Sequence, residues 1–120
     1  MLDDPATFAP FVLLEYPHAP GTYCLILTNE QMEEVAERFE EAGAEGNGHD
    51  WEALAEAVVQ TREPGLADDL SFTSESGTFA VNSTNLDALR RLASILHSAY
   101  HDEALLSALL RDAGPDTSVR

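Results

Sequence analysis

Phe11-Val12-Leu13-Leu14-Glu15-Tyr16 and Gly21-Thr22-Tyr23-Cys24-Leu25-Ile26-Leu27-Thr28 are the stretches whose reading decides the fold. Each is a short run of aliphatic, β-branched and aromatic residues. The segment between them, Pro17-His18-Ala19-Pro20-Gly21, has the residues that reverse a chain, so the pair reads as a β-hairpin. Apolar residues occupy both parities of both runs, unlike the alternation of a half-exposed ribbon. The hairpin is therefore expected centrally in a sheet, with at least part of each face covered. Cys24, the only cysteine, lies inside the second run and is expected as a small buried side chain. A single cysteine excludes an intramolecular disulfide, and a nucleophilic thiol would need an electropositive neighbourhood.

A helix is expected to start at Thr28, where Thr28 and Gln31 have capping-box spacing. Met32, Val35, Ala36 and Phe39 then form one apolar stripe, and Gly43 is placed as a C-cap. The opposite side carries Glu30, Glu33, Glu34, Glu37, Glu40 and Glu41, relieved only by Arg38. Like charges four apart cost a few tenths of a kcal/mol each, roughly. Glu40 and Glu41 also sit at the end of the helix that disfavours anions. Local stability does not explain this face. In Glu45-Gly46-Asn47-Gly48-His49-Asp50-Trp51, Asp50 is expected to N-cap a second helix. Trp51, Leu54, Ala55, Val58 and Val59 share one side of it, with Trp51 as a core anchor, and it should stop before Pro64-Gly65.

The second half repeats the order. Leu70–Thr73 and Thr78–Val81 read as a hairpin around Ser74-Glu75-Ser76-Gly77, and Thr84 with Asp87 marks the next helix start. Leu86, Leu89, Ala93, Leu96 and Tyr100 make its stripe, and Asp102 caps a last helix, Ala104–Arg111, ended by Gly114-Pro115. Gly21-Thr22-Tyr23 and Thr28-Asn29 recur 56 positions on as Gly77-Thr78-Phe79 and Thr84-Asn85, a ββαα repeat at the level of pattern. The expected fold is α+β, two hairpins joined into a four-stranded antiparallel sheet packed with about four helices. Residues 1–9 are expected as an N-terminal arm, 10–114 as one domain and 115–120 as a flexible tail.

The 120 residues include 22 acids and 6 basic residues, all arginine, for a net charge of −16. Nucleic acid and anionic lipid surfaces are excluded as partners, because both require a positive footprint. Residues 1–69 hold 16 acids and 2 arginines (net −14), whereas residues 70–120 hold 6 acids and 4 arginines (net −2). Charge serving only solubility or salt adaptation would be spread evenly, and charge aimed at a partner is gathered. No basic, apolar leader opens the sequence and no apolar run approaches the ~20 residues of a membrane span, which points to the cytoplasm.

Candidate chemistry is sparse. His97 and His101 have the i, i+4 spacing that can put two imidazoles on one metal, but no HExxH pattern surrounds them and Arg90 lies on the same side. His49-Asp50 has the residue types of a catalytic base pair without a nucleophile motif. Gly46-Asn47-Gly48 lacks the lysine of a phosphate cradle. A metal-dependent hydrolase using His49, His97 and His101, or an acidic salt-adapted domain of other function, are the rival readings; neither a cofactor nor a metal is expected.

The run Phe11–Tyr16, then Gly21–Thr28, Glu41-Ala42-Gly43 and Glu45–Trp51, resembles the immunity protein 51 family, bacterial proteins encoded beside polymorphic toxins that they neutralise. His49 stands where the family pattern leads one to expect an aromatic residue. The resemblance implies a small cytosolic α+β binder without catalysis that occludes a toxin domain. An acidic inhibitor complements a toxin domain of basic surface, which raises the on-rate and selects the partner. The gathered charge puts the expected contact region at Glu33, Glu34, Glu37 and Glu41 with Glu45, Asn47 and His49. Phe39, Gly43, Asp50 and Trp51 are expected as its structural anchors.

Overall fold

Strand β1 (Val12–Glu15) turns through the proline-rich loop into β2 (Tyr23–Thr28), as the hairpin reading requires. The computed structural model describes residues 8–113; the expected tail, most of the N-terminal arm and the Gly114-Pro115 stop lie outside them. After β2 come α1 (Asn29–Glu33), α2 (Ala36–Glu41), α3 (Gly48–Arg62) and a 3-10 segment, Pro64–Asp69. The second hairpin is β3 (Ser71–Phe72) with β4 (Thr78–Ser83), followed by α4 (Leu86–His101) and α5 (Glu103–Ala113). All pairings are antiparallel, in the order β1-β2-β4-β3. The two strands 56 residues apart in pattern lie side by side at the centre, and Leu25 faces Val81, its counterpart at that offset.

Five α-helices form rather than about four, because the helix expected from Thr28 is broken. Val35 adopts φ −121° and ψ 10° between α1 and α2. That kink re-aims the chain so that Met32 before it and Phe39 after it both become buried. Thr28 does stand at the N-cap of α1, but its side chain makes no capping bond, so the expected capping box is absent. Gly43 closes α2 as expected. Its N–H bonds the Glu40 carbonyl, and its φ of 89° then turns the Ala44 N–H back to the Phe39 carbonyl at 2.8 Å.

Two caps are shifted from their expected residues. Asn47, not Asp50, is the N-cap of α3; its side chain accepts the Asp50 N–H at 3.0 Å, and Asp50 sits at the third helical position. Asn85, not Thr84, caps α4, accepting the Ala88 N–H at 3.2 Å. Asp102 behaves as expected, its Oδ1 accepting the N–H groups of Ala104 and Leu105. α3 stops where Glu63 (φ −140°) precedes Pro64, since a pre-proline residue is driven out of the helical region.

One core joins the helices to a single face of the sheet. Leu25, Leu27, Phe79 and Val81 point into it, with Leu13, Tyr23 and Phe72 packed at its edge. Trp51 is its hub, with Phe39 at 5.1 Å, Phe11 at 5.6 Å, and Phe79 and Tyr100 slightly farther between ring centres. Leu54, Ala55, Val58 and Val59 of α3, then Leu89, Leu92, Ala93 and Leu96 of α4, complete it along the stripes read from the sequence. Burying side chains of this size contributes about 1.5–3 kcal/mol each.

Candidate partner-binding surface

The acids expected to meet a partner lie on the short helices after β2. Glu30, Glu33, Glu34, Glu37, Glu40 and Glu41 are all exposed. Arg38 is the cation among them. Its guanidinium donates to both carboxylate oxygens of Glu41 at 3.0 and 3.1 Å, and lies 3.6 Å from Glu103 at the start of α5. Glu33 takes only a long bond from Asn29. Among the described residues Glu30, Glu34, Glu37 and Glu40 have no hydrogen-bond or ion-pair partner.

The segment after α2 is a packed joint. The Asp50 carboxylate accepts the backbone N–H groups of Glu45 at 2.9 Å, Gly46 at 2.8 Å and Asn47 at 3.4 Å. Gly46 is buried with φ +86°, and a Cβ there would press on Ala36. Gly48 donates its N–H to the Ser76 carbonyl, and a Cβ on it would collide with the backbone oxygens of Glu75 and Thr78. The joint thus seats the start of α3 on the β3–β4 turn. Glu45 and His49 remain exposed, and Asn47 is half-buried by its capping role.

The residues of the hydrolase reading do not assemble. His97 Nδ1 lies 3.0 Å from the Ala9 carbonyl oxygen and His101 Nε2 lies 2.7 Å from the same atom, so both rings donate to one acceptor. Asp50 is taken up by the joint. Among the described residues no group of three His, Cys, Asp or Glu side chains is placed to hold a metal. Cys24 is buried, its Sγ donating to the Leu25 carbonyl, and that burial pushes its thiol up, with the neighbouring Tyr16 and the Val81 backbone offsetting part of the effect. This is the inert cysteine expected from the sequence.

A second surface was not singled out by sequence reasoning. The sheet residues turned away from the core are Val12, Leu14 and Tyr16 from the first strand and its end, and Cys24, Ile26 and Thr28 from β2. Thr78, Ala80 and Asn82 come from β4, and Ser71 comes from β3. None is charged. Cys24 is buried, whereas Leu14, Ile26 and Ala80 are only half-buried outside the core cluster and Val12 is 51% exposed. The Tyr16 hydroxyl donates to Asn82 Oδ1 at 2.6 Å, spanning β2 at Cys24, and Asn82 Nδ2 donates to Thr73 at 2.9 Å. The phenol is raised above its ordinary value, first by hydrogen bonding with Cys24 and then by burial. At one end of this face Thr22, Ser71, Asn82 and Thr84 meet Asp68 and Asp69 around a depression of about 290 Å³. The alternating parity of the strands was the available signal, but nothing local says which face the helices will leave open.

The described residues thus form an α+β domain with exposed acids along the segment after β2. The family model described as Immunity protein 51 matches residues 11–115, and the chain belongs to that family of immunity proteins. Membership describes a binding protein rather than an enzyme. No curated protein and no solved structure matches the chain. No helix among the described residues is long and apolar enough to cross a membrane.

Proposed function

We propose that this chain neutralises a cognate toxin domain of basic surface by binding and occluding it in the cytoplasm, with residues 10–114 as the binding unit. The observation that carries the reading is the set of exposed acids along α1, the break and α2, of which Glu30, Glu34, Glu37 and Glu40 have no partner among the described residues and Glu41 is paired only with Arg38. Carboxylates gathered in one short stretch without partners are unfavourable for the free domain, and a cationic partner relieves them. Glu33, Glu34, Glu37 and Glu41 form the steering face, and Glu45, Asn47 and His49 extend it along the joint to α3. Phe39, Gly43, Asp50 and Trp51 hold that face in place without touching the partner.

The test uses the toxin domain encoded in the adjacent reading frame. Replacing Glu33, Glu34, Glu37 and Glu41 by Gln should lower the association rate about ten-fold or more in dilute buffer and flatten its salt dependence. Unchanged affinity together with an unchanged salt slope sinks the acidic-surface reading.

A further inference from the structure

The sheet face turned away from the helices has one charged side chain, Glu75 opposite Thr78 in the β3–β4 turn, in a chain with 22 acids. An antiparallel sheet face that meets only water alternates polar and charged residues with the buried set. Here its apolar patch runs from Val12 and Leu14 on the edge strand through Ile26 to Ala80, flanked by Tyr16 and Asn82 fixed to each other by a 2.6 Å hydrogen bond. Charge depletion at the centre, a rigid tyrosine beside it and charged groups only at the margin is the composition of the desolvated part of a protein interface. The margin is acidic, with Asp68 and Asp69 lining the depression at one end and Glu75 exposed in the β3–β4 turn at the other.

We propose that this face is where the toxin domain docks, with the acids of α1 and α2 acting on its approach; the assignment rests on the immunity reading above. Charge selects the occupant. A second copy would bring another body of net charge −16 and another acidic margin against the first, whereas a partner with an apolar anchor ringed by arginine or lysine meets both centre and margin. The partner reads the face rather than adding a strand to β1. Tyr16 N–H bonds Thr22, so by the antiparallel alternation only Leu13 and Glu15 turn their backbone groups outward, and Pro10 and Pro17 bracket that edge.

The experiment compares wild type, Val12→Arg, and Val12→Arg with Ala80→Arg for binding to the toxin domain of the adjacent reading frame. Thermal unfolding of each variant is followed in parallel. Val12 is half in solvent, so the single variant keeps the test open should the double variant not fold. The expected result is a loss of affinity of about ten-fold for the single and about 100-fold for the double variant, carried mainly by faster dissociation. Binding within about three-fold of wild type by the folded variants overturns the docking assignment and leaves the immunity reading standing. Failure of wild type to bind overturns both. Sedimentation adds a third outcome: a wild-type dimer that Val12→Arg dissolves makes a second copy the occupant and overturns the proposal.

Discussion

Adding one methyl group at Gly48 would drive it into the carbonyl oxygens of Glu75 and Thr78, both backbone atoms that cannot swing aside. Gly48→Ala should therefore cost about 1–3 kcal/mol in urea unfolding, whereas Gly77→Ala, with open space around it, should fall within about 0.5 kcal/mol of wild type. The same joint makes Asp50 more than a helix-end acid: Asp50→Ala strips the acceptor from three backbone N–H groups and should cost about 1–2 kcal/mol. Trp51 is fully buried, yet its indole N–H has no hydrogen-bond partner among the described residues. Trp51→Phe should consequently be much milder than Trp51→Ala, which should cost about 3–5 kcal/mol by calorimetry or denaturant titration. At this scale the sequence identifies the anchors well, since Trp51, Phe39 and Gly43 each have a residue type with one obvious job. Cap positions slipped by one to three residues because Asn47 and Asp50, or Thr84 and Asn85, are equally good local candidates. Contacts with Ser76 and Ser83 help choose between them, and those depend on the fold.

Helix α3 contains a testable electrostatic conflict. Glu52 and Glu56 are one turn apart, and the Glu56 carboxyl is raised above its ordinary 4.5, first by partial burial and then by the charge of Glu52. Between 4.5 and the raised value the folded chain holds more protons at this site than the unfolded chain, so stability falls as pH rises through that window. Above it the penalty is full. Glu56→Gln is expected to melt above wild type at pH 7 and to lose that advantage in melts run below pH 4.5. The stripes of α3 and α4 were legible because periodicity over three or more turns overrides any single residue. The break at Val35 was not. Its residues fit one continuous stripe, and only the need to bury both Met32 and Phe39 against a twisted sheet separates α1 from α2.

For the whole molecule, the net charge of −16 is a self-repulsion that dissolved ions screen. The fold has a full aromatic and aliphatic core, so the domain should remain folded in dilute buffer and gain a few degrees in melting temperature with added salt, roughly. A circular-dichroism melt across ionic strength checks this, and unfolding at low salt would favour the salt-adapted rival. The joining of two apolar hairpins into one antiparallel sheet was legible in the sequence, but the order that puts β2 beside β4 was not, since either strand of each hairpin could have formed the seam. Which face stays bare was hidden. Leu14 and Ile26 are as apolar as Leu13 and Leu25, and only the placement of α3 and α4, together on one side, tells them apart.

The shared bond to Ala9 has a spectroscopic consequence. One carbonyl has two lone pairs, and His97 and His101 fill both, the first through Nδ1 and the second through Nε2. Each neutral imidazole is thereby held in a different tautomer, although the two rings sit only 4.7 Å apart. Nitrogen-15 chemical shifts separate those tautomers, so the pair is a built-in label for the seating of the chain just before β1. If that segment detached, both rings would average toward the common Nε2–H form, and the distinctive His97 signal would vanish without any added probe.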